Sequence, residues 1–329
     1  MFDVVGFGEV MIRLSTVNFQ RLEQATSLDV SLGGAELNVL VTAQRLGLKT
    51  SYITRLTRNP LGRFIEDKTR EHGVDTSHVI WSDEDRQGIY FLEFGALPRP
   101  SAILYDRKGS AMSKIQPDMV DWDSILSQTK AFHTTGITPA LSKSALETTT
   151  KALSTAHQKG VQVSFDLNYR ARLWSQEEAK AALSPLMQYV DILITTEEDT
   201  ARVFQIEGKD WKEVAHKLTD TFGFKVVMIT IRETPTVWRN NWLGIALKDG
   251  RFYEDRKYEM EVVDRVGSGD AFAGGFLYAY LTKGDIEAAL KYGNAAAVLK
   301  HSTPGDFAYF TLEEVENLML GKGGLRISR

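Results

Sequence analysis

The sequence predicts an α/β protein, with a mainly parallel sheet wrapped by helices and a second, smaller β-sheet. Two observations point there. Short β-branched runs alternate with helical patterns along most of the chain, the order that a parallel sheet with crossover helices requires. Two segments, 10–32 and 86–110, break the alternation and contain no convincing helix. A length of 329 residues admits one large α/β domain or two smaller ones.

In chain order, the first expected strand is 3–8, within FDVVGFG. The segment Ser31-Leu32-Gly33-Gly34-Ala35-Glu36-Leu37-Asn38 opens a helix over 34–46, which carries Val39, Leu40, Ala43 and Leu46 and stops at Gly47. A strand at 50–55 and a helix at 60–72 follow. Gly88 to Gly95 (GIYFLEFG) and Ala102 to Asp106 (AILYD) read as a hairpin. Strands at 130–135, 161–167, 190–195 and 225–231 then alternate with helices near 142–159, 176–189, 197–205 and 210–222. The last helices are expected at 271–282 and 285–300. Residues 1–9, 33–85 and 111–329 would form the main domain. Residues 10–32 and 86–110 would form one small sheet inserted twice, a flap able to close as a lid and exclude water.

Composition narrows the class. With 43% hydrophobic and 25% charged residues the chain is an ordinary globular protein. It has no Cys, hence no disulfide framework, thiolate nucleophile or thiolate metal site. Six His lie without a close pair of zinc spacing and are expected to be structural. No basic-then-apolar leader and no membrane-length apolar run is present, so the cytoplasm is expected and a membrane partner is not. A net charge of −4 argues against a general nucleic-acid surface. An anionic small substrate would have to be gripped by a few local Arg.

The most informative stretch is Asp264-Arg265-Val266-Gly267-Ser268-Gly269-Asp270. Downstream, Ala271, Phe272, Phe276, Leu277, Tyr280 and Leu281 fall on one side at helical spacing. Gly267, Ser268 and Gly269 therefore sit at a helix mouth, where small residues let successive backbone N–H groups point at one anion. A carboxylate beside such a cradle is electrostatically unwelcome. Asp270 is tolerable there if it takes a proton from an attacking hydroxyl while the amides hold a phosphoryl group. Asn38, one turn inside the other glycine-opened helix, can turn an amide toward whatever rests on Gly33 and Gly34. Other nucleotide signatures fail. Gly6-Phe7-Gly8 begins like a dinucleotide fingerprint, but Met11 stands at the third glycine and no helix opens there. No P-loop and no protein-kinase set occurs.

Asp166-Leu167-Asn168-Tyr169-Arg170 follows a strand, so its polar residues fall where open α/β sheets bind ligands. Arg170 can clamp a carboxylate through two parallel hydrogen bonds; the alternative is a surface Arg at a strand–helix turn. Tyr90, Tyr105 and Arg107 lie in the flap and suit a polyhydroxylated acid, or serve as cross-strand partners.

Together the Gly-Gly…Asn segment and the Asp-x-x-Gly-x-Gly-Asp segment resemble the two signatures of the ribokinase-like (PfkB) sugar kinases. Within that family, GE-x-M-x-RL (Gly8 to Leu14), GIYFLE-x-G, RPS (Arg99 to Ser101), YDR-x-GSA (Tyr105 to Ala111) and D-x-NYR-x-RLW resemble the 2-keto-3-deoxygluconate kinases. Arg265 replaces the usual Thr and reads as a subgroup trait. The resemblance implies a three-layer α/β/α domain with a β lid, and an ATP- and Mg²⁺-dependent kinase acting on the C6 hydroxyl of 2-keto-3-deoxygluconate. By position, Asp270 would be the base, with Gly267, Ser268 and Gly269 as the anion cradle. Gly33, Gly34, Asn38, Tyr90, Tyr105, Arg107 and Arg170 would contact the sugar. Asn168, Thr230, Arg232, Arg265, Gly267, Gly269 and Asn294 would border ATP. The family's Asn-x-x-Glu reads Thr196-Glu197-Glu198-Asp199 here, leaving Glu198 or Asp199 to orient magnesium through water. The lid would also provide a homodimer contact or part of a larger homo-oligomer. The scaffold equally serves fructokinases and other ketose kinases, and a non-catalytic kinase-like binding subunit is the more distant alternative.

Overall fold

A computed structural model describes residues 1–322; the end of the expected main domain, 323–329, lies outside the described residues. From the N-terminus come β1 (Phe2–Phe7), β2 (Met11–Thr16), β3 (Leu28–Gly33), α1 (Ala35–Arg45), β4 (Thr50–Ile53), β5 (Arg55–Thr57), α2 (Pro60–Glu71) and β6 (Ile80–Ser82). Next are β7 (Ile89–Glu93), β8 (Ala102–Asp106), α3 (Trp122–Leu126), β9 (Thr129–Thr135), α4 (Lys143–Gln158), β10 (Gln162–Asp166) and α5 (Gln176–Leu183). The chain continues through β11 (Ile192–Thr195), α6 (Glu197–Phe204), α7 (Trp211–Phe222), β12 (Val226–Thr236), β13 (Arg239–Lys248), β14 (Arg251–Glu254) and β15 (Tyr258–Glu261). Helices α8 (Ser268–Lys283), α9 (Ile286–Lys300) and α10 (Leu312–Met319) close it.

The main sheet runs β14-β13-β12-β11-β10-β9-β1-β4, with β15 also on β13. From β4 to β12 every pairing is parallel; β13, β14 and β15 add an antiparallel edge. Successive strand residues point to opposite faces, and this splits the core. Val4, Ala131, Ile192, Val226 and Met228 join α1, α8 and α9 on one side. Val5, Phe132, Leu193, Val227 and Ile229 join α3 to α7 on the other. The result is the expected three-layer α/β/α arrangement.

The interrupted segments do form a separate sheet, ordered β3-β2-β7-β8, in which β7 and β8 make the expected antiparallel hairpin. Its β2 lies parallel to β7, joining the two insertions.

Several boundaries differ from expectation, each for a local reason. The single strand expected at 50–55 breaks at Thr54, because β4 pairs with β1 and β5 with β6. The helix expected at 176–189 stops at Leu183 and tightens over Ser184–Tyr189, since Pro185 lacks an N–H. The antiparallel edge over 239–261 and the helices α3 and α10 were not expected. Helix α8 is buried on nearly every side, including Ala273, Gly274, Gly275 and Ala279, where one apolar face was anticipated; it is wedged between α1 and α9. No helix among the described residues is long and apolar enough to cross a membrane.

Candidate active site

The C-terminal ends of the parallel strands, the N-termini of α1 and α8, and the inner face of the small sheet enclose one cavity of about 380 Å³. Every residue singled out in the sequence lines it except Glu198 and Asn294. Strand β10 and the segment just after it deliver Asp166, Asn168 and Arg170; the start of α6 delivers Asp199; β12 delivers Thr230 and Arg232; the small sheet and the residue just after β8 deliver Tyr90, Tyr105 and Arg107.

At α8 the turn begins with Gly267 in the left-handed region, φ +84°. A Cβ there would also stand 2.1 Å from the Asp306 carbonyl oxygen, so only glycine permits this loop. Ser268 is buried and its hydroxyl has no protein partner. Asp270 lies in the first turn of α8 and accepts a hydrogen bond from the Asn38 side-chain amide at 2.7 Å. That bond joins the two glycine-opened helices. Burial pushes the Asp270 carboxyl up to about 6, against the Asn38 hydrogen bond and with help from the Asp306 charge. At α1, Gly34 sits where a Cβ would lie 2.5 Å from the Glu9 carbonyl oxygen.

Three further carboxyl groups with raised pKa values crowd the cavity. Asp166 is pushed up to about 8 by burial and then by the charges of Asp270 and Asp199. Glu36 rises to about 7 through burial, although it accepts hydrogen bonds from the Thr138 and Thr135 hydroxyls, each at 2.8 Å. Asp199 is also raised by burial, with Arg170 opposing. Arg170 and Arg232 both face this acidic group. Several carboxyls with displaced pKa values beside two guanidinium groups mark this cavity as the candidate active site.

The two outliers have clear causes. Glu198 projects to solvent and pairs with Arg202, 2.5 Å away at i,i+4, so of the two acidic candidates only Asp199 reaches the cavity. Asn294 is fully buried behind β13. Its side-chain oxygen accepts from Trp242 Nε1 at 2.9 Å and from Gly244 N at 2.8 Å, bracketing α9 to the sheet. Two residues of the small-sheet segments are less free than expected. Arg107 donates from Nε to Glu9 at 2.7 Å and is ion-paired with it. The Tyr90 hydroxyl donates to Asp306 at 2.7 Å. Arg265 donates to the Val237 carbonyl at 3.0 Å while still lining the cavity.

Sequence reasoning missed Glu9, Glu36, Asp166 and Asp306 as site members. Glu9, Glu36 and Asp166 stood inside the recognised motifs; the signal was an acidic residue beside a glycine-opened helix for Glu36 and at a ligand-binding strand end for Asp166. Asp306 sits in an irregular loop with no local signal.

Comparison with known proteins identifies the family. The model of the pfkB family carbohydrate kinases matches residues 1–308. The chain is 40% identical over 319 residues to a 2-dehydro-3-deoxygalactonokinase of Haloferax volcanii, covering 97% of both chains. It is 33% identical to a 2-dehydro-3-deoxygluconokinase of Thermoproteus tenax, covering 93% of this chain and 90% of that one. The crystal structure of the 2-dehydro-3-deoxygluconokinase of Thermotoga maritima superposes with a TM-score of 0.95 at 41% identity, over 98% of this chain and 100% of the other. The matched family, the three-layer fold and the paired glycine-opened helices agree: the chain belongs to the pfkB family of carbohydrate kinases.

Proposed function

We propose that this chain transfers the γ-phosphoryl group of ATP to the C6 hydroxyl of a 2-keto-3-deoxy six-carbon sugar acid, with 2-keto-3-deoxygluconate as the first candidate. One observation carries the reading: a single cavity holds the anion cradle and Asp270 together with Arg107 and Arg170. The first pair suits phosphoryl transfer and the second suits a carboxylate.

In this reading Asp270 accepts the proton of the C6 hydroxyl. The oxygen so freed bonds to the γ-phosphorus as the bond from phosphorus to the bridging oxygen of ADP breaks, and the proton leaves from Asp270 after product release. A base near 6 is ionised at neutral pH yet basic enough to help. The amides of Gly267 to Asp270 and the Arg232 guanidinium would face the charge on the transferred group. There is little covalent work, so positioning and electrostatics supply most of the rate.

The residues fit a phosphate chain and Mg²⁺. Ser268 Oγ and Asn38 Oδ1 are buried without partners beside the cradle. Among the described residues no group of three His, Cys, Asp or Glu forms a closed metal cage. Mg²⁺ needs none, since it takes one or two carboxylates and completes its shell with phosphate oxygens and water; Asp166 and Asp199 would supply them. Bound there, the ion would neutralise phosphate charge.

The small sheet would act as the lid. Its outer face carries a cross-strand row, Val30–Leu14–Phe91–Leu104, with Val30 and Leu104 each 57% exposed. A second copy covering that row would make the homodimer, which light scattering tests.

The C4-epimeric galactonate is the second reading, favoured by the name of the 40%-identical relative. ADP release with the two keto-deoxy acids, fructose and ribose decides. Preference for either acid supports the proposal and ranks the epimers; preference for a neutral sugar defeats it.

A further inference from the structure

Four buried charges meet where the small sheet touches the loop before α8. Arg13 comes from β2, Asp264 from that loop, Lys300 from the end of α9 and Asp306 from the segment after it; all are at most 5% exposed. Arg13 donates from Nη2 to Asp264 at 2.5 Å, from Nη1 to Asp306 at 2.6 Å and from Nε to Ser15 Oγ at 2.8 Å. The Asp306 oxygen that accepts from Arg13 also accepts the Tyr90 hydroxyl. Asp264 in turn holds its own loop, accepting from Val266 N at 3.0 Å and Gly305 N at 3.1 Å. Lys300 donates to the carbonyls of Thr303 at 3.2 Å and Asp264 at 3.4 Å. Two cations thus balance two carboxylates, and none of the four stands free.

We propose that Arg13 is a positioning residue for phosphoryl transfer, fixing the small sheet and the Asp264–Asp270 loop in one relative placement so that the sugar wall and the anion cradle are set together. The loop is tied at one end by Asp264 N to the His301 carbonyl and turns on Ser268 N to the Arg265 carbonyl, both at 3.3 Å, and Gly267 backs directly onto Asp306. Whatever holds Asp264 and Asp306 therefore holds the cradle. A guanidinium is suited to this because its planar fork spans two carboxylates at once, which an ammonium on a flexible stem does not. Removing the fork leaves two buried carboxylates with Lys300 as the one remaining cation of the four, and Asp306 is one of the charges that Asp270 feels. The groups facing Asp270 are Asn38 and Glu36 from α1, Asp166 and Arg170 from the end of β10, Arg232 from β12, Lys300 from α9 and Asp306.

The test uses the full chain with Arg13→Lys, Arg13→Met and Ser15→Ala. Measured are the thermal midpoint, kcat and KM for sugar and for ATP, the ADP formed per sugar phosphorylated, and the pH profile. Folded Arg13→Lys should lose on the order of ten- to a hundredfold in kcat, with KM for ATP little changed, as misplacement of reacting groups costs. It should also release excess ADP as water enters a poorly seated site. Its acid limb should stay in place because the charge is kept, whereas Arg13→Met should move the limb up by about one pH unit. Wild-type kcat and coupling in folded Arg13→Lys, or an unmoved limb in folded Arg13→Met, would overturn the proposal. If neither arginine variant folds, Ser15→Ala, which frees Arg13 Nε outside the cavity, decides: a smaller loss of kcat and of coupling supports the proposal, and wild-type values overturn it. Only the pH arm rests on Asp270 as base. Retained turnover in Asp270→Asn would remove that arm and leave the turnover and coupling arms standing.

Discussion

Replacing Arg170 by alanine separates a sugar-acid kinase from a neutral-ketose kinase within one variant. Among the described residues Arg170 donates to the Tyr169 carbonyl at 3.1 Å and forms no ion pair, so its charge is available to a ligand. Arg107 is committed to Glu9, so most of the pull on a substrate carboxylate should come from Arg170. A hydrogen bond to a charged group is worth about 1.5–3 kcal/mol, or roughly ten- to a hundredfold. Arg170 is exposed in the open cavity, and solvent screening favours the lower end. The interaction exists in both the bound substrate and the transition state, so kcat should fall less than kcat/KM. Steady-state ADP release with 2-keto-3-deoxygluconate should therefore show KM for the acid raised about tenfold or more, KM for ATP nearly unchanged, and fructose almost unaffected. Equal losses for acid and ketose would refute the reasoning and make Arg170 a structural or nucleotide-side residue.

Asp270→Asn keeps the shape and a partner for Asn38, and should cut turnover by about 10²–10⁴ with ATP affinity retained; more than a tenth of wild-type turnover would remove Asp270 as base. With its carboxyl near 6, wild-type kcat/KM should decline as pH falls through that value, to roughly a tenth at pH 5, and a flat profile there would contradict it. Gly267→Ala puts a Cβ against the Asp306 carbonyl in a left-handed turn, so turnover should drop by at least about a hundredfold; wild-type turnover would place the cradle elsewhere. Stability should fall as pH rises from 6.5 to 8.5. Glu36 and Asp166 titrate near 7 and 8 in the fold, above their unfolded values, so in this window the folded state binds more protons and loses that advantage as pH rises. Buried His133 and His301, lowered to about 3 and 4, act in the opposite sense only below their unfolded pKa. A thermal midpoint that climbs across this window would reject the two carboxyl assignments.

Much of the fold is legible in the chain alone. Periodicity located most strands and helices of the parallel core, because each buries its own face whatever its neighbours. The glycine-opened starts of α1 and α8 were legible because an anion cradle is built from consecutive backbone groups. Asp270 stood out because its charge was wrong for its place. The antiparallel edge from Arg239 to Glu261 escaped because β13 is placed by pairing with β12, and the short, polar-rich β14 and β15 by pairing in turn with β13, rather than by a pattern of their own.

What only tertiary structure decided is how side chains far apart in sequence share their charge. Glu198 and Asp199 are adjacent, yet the phase of α6 turns one to solvent and the other to the cavity. Asn294 had the chemistry of a ligand contact, and burial against Trp242 and Gly244 spends it on the fold. Arg13 reaches Asp264 and Asp306 across 251 and 293 positions. Local pattern can reveal which groups a segment offers, because backbone geometry repeats within a few residues. Which of those groups are neutralised, and which remain to act on a substrate, depends on partners that only the packing of distant segments brings within hydrogen-bond range.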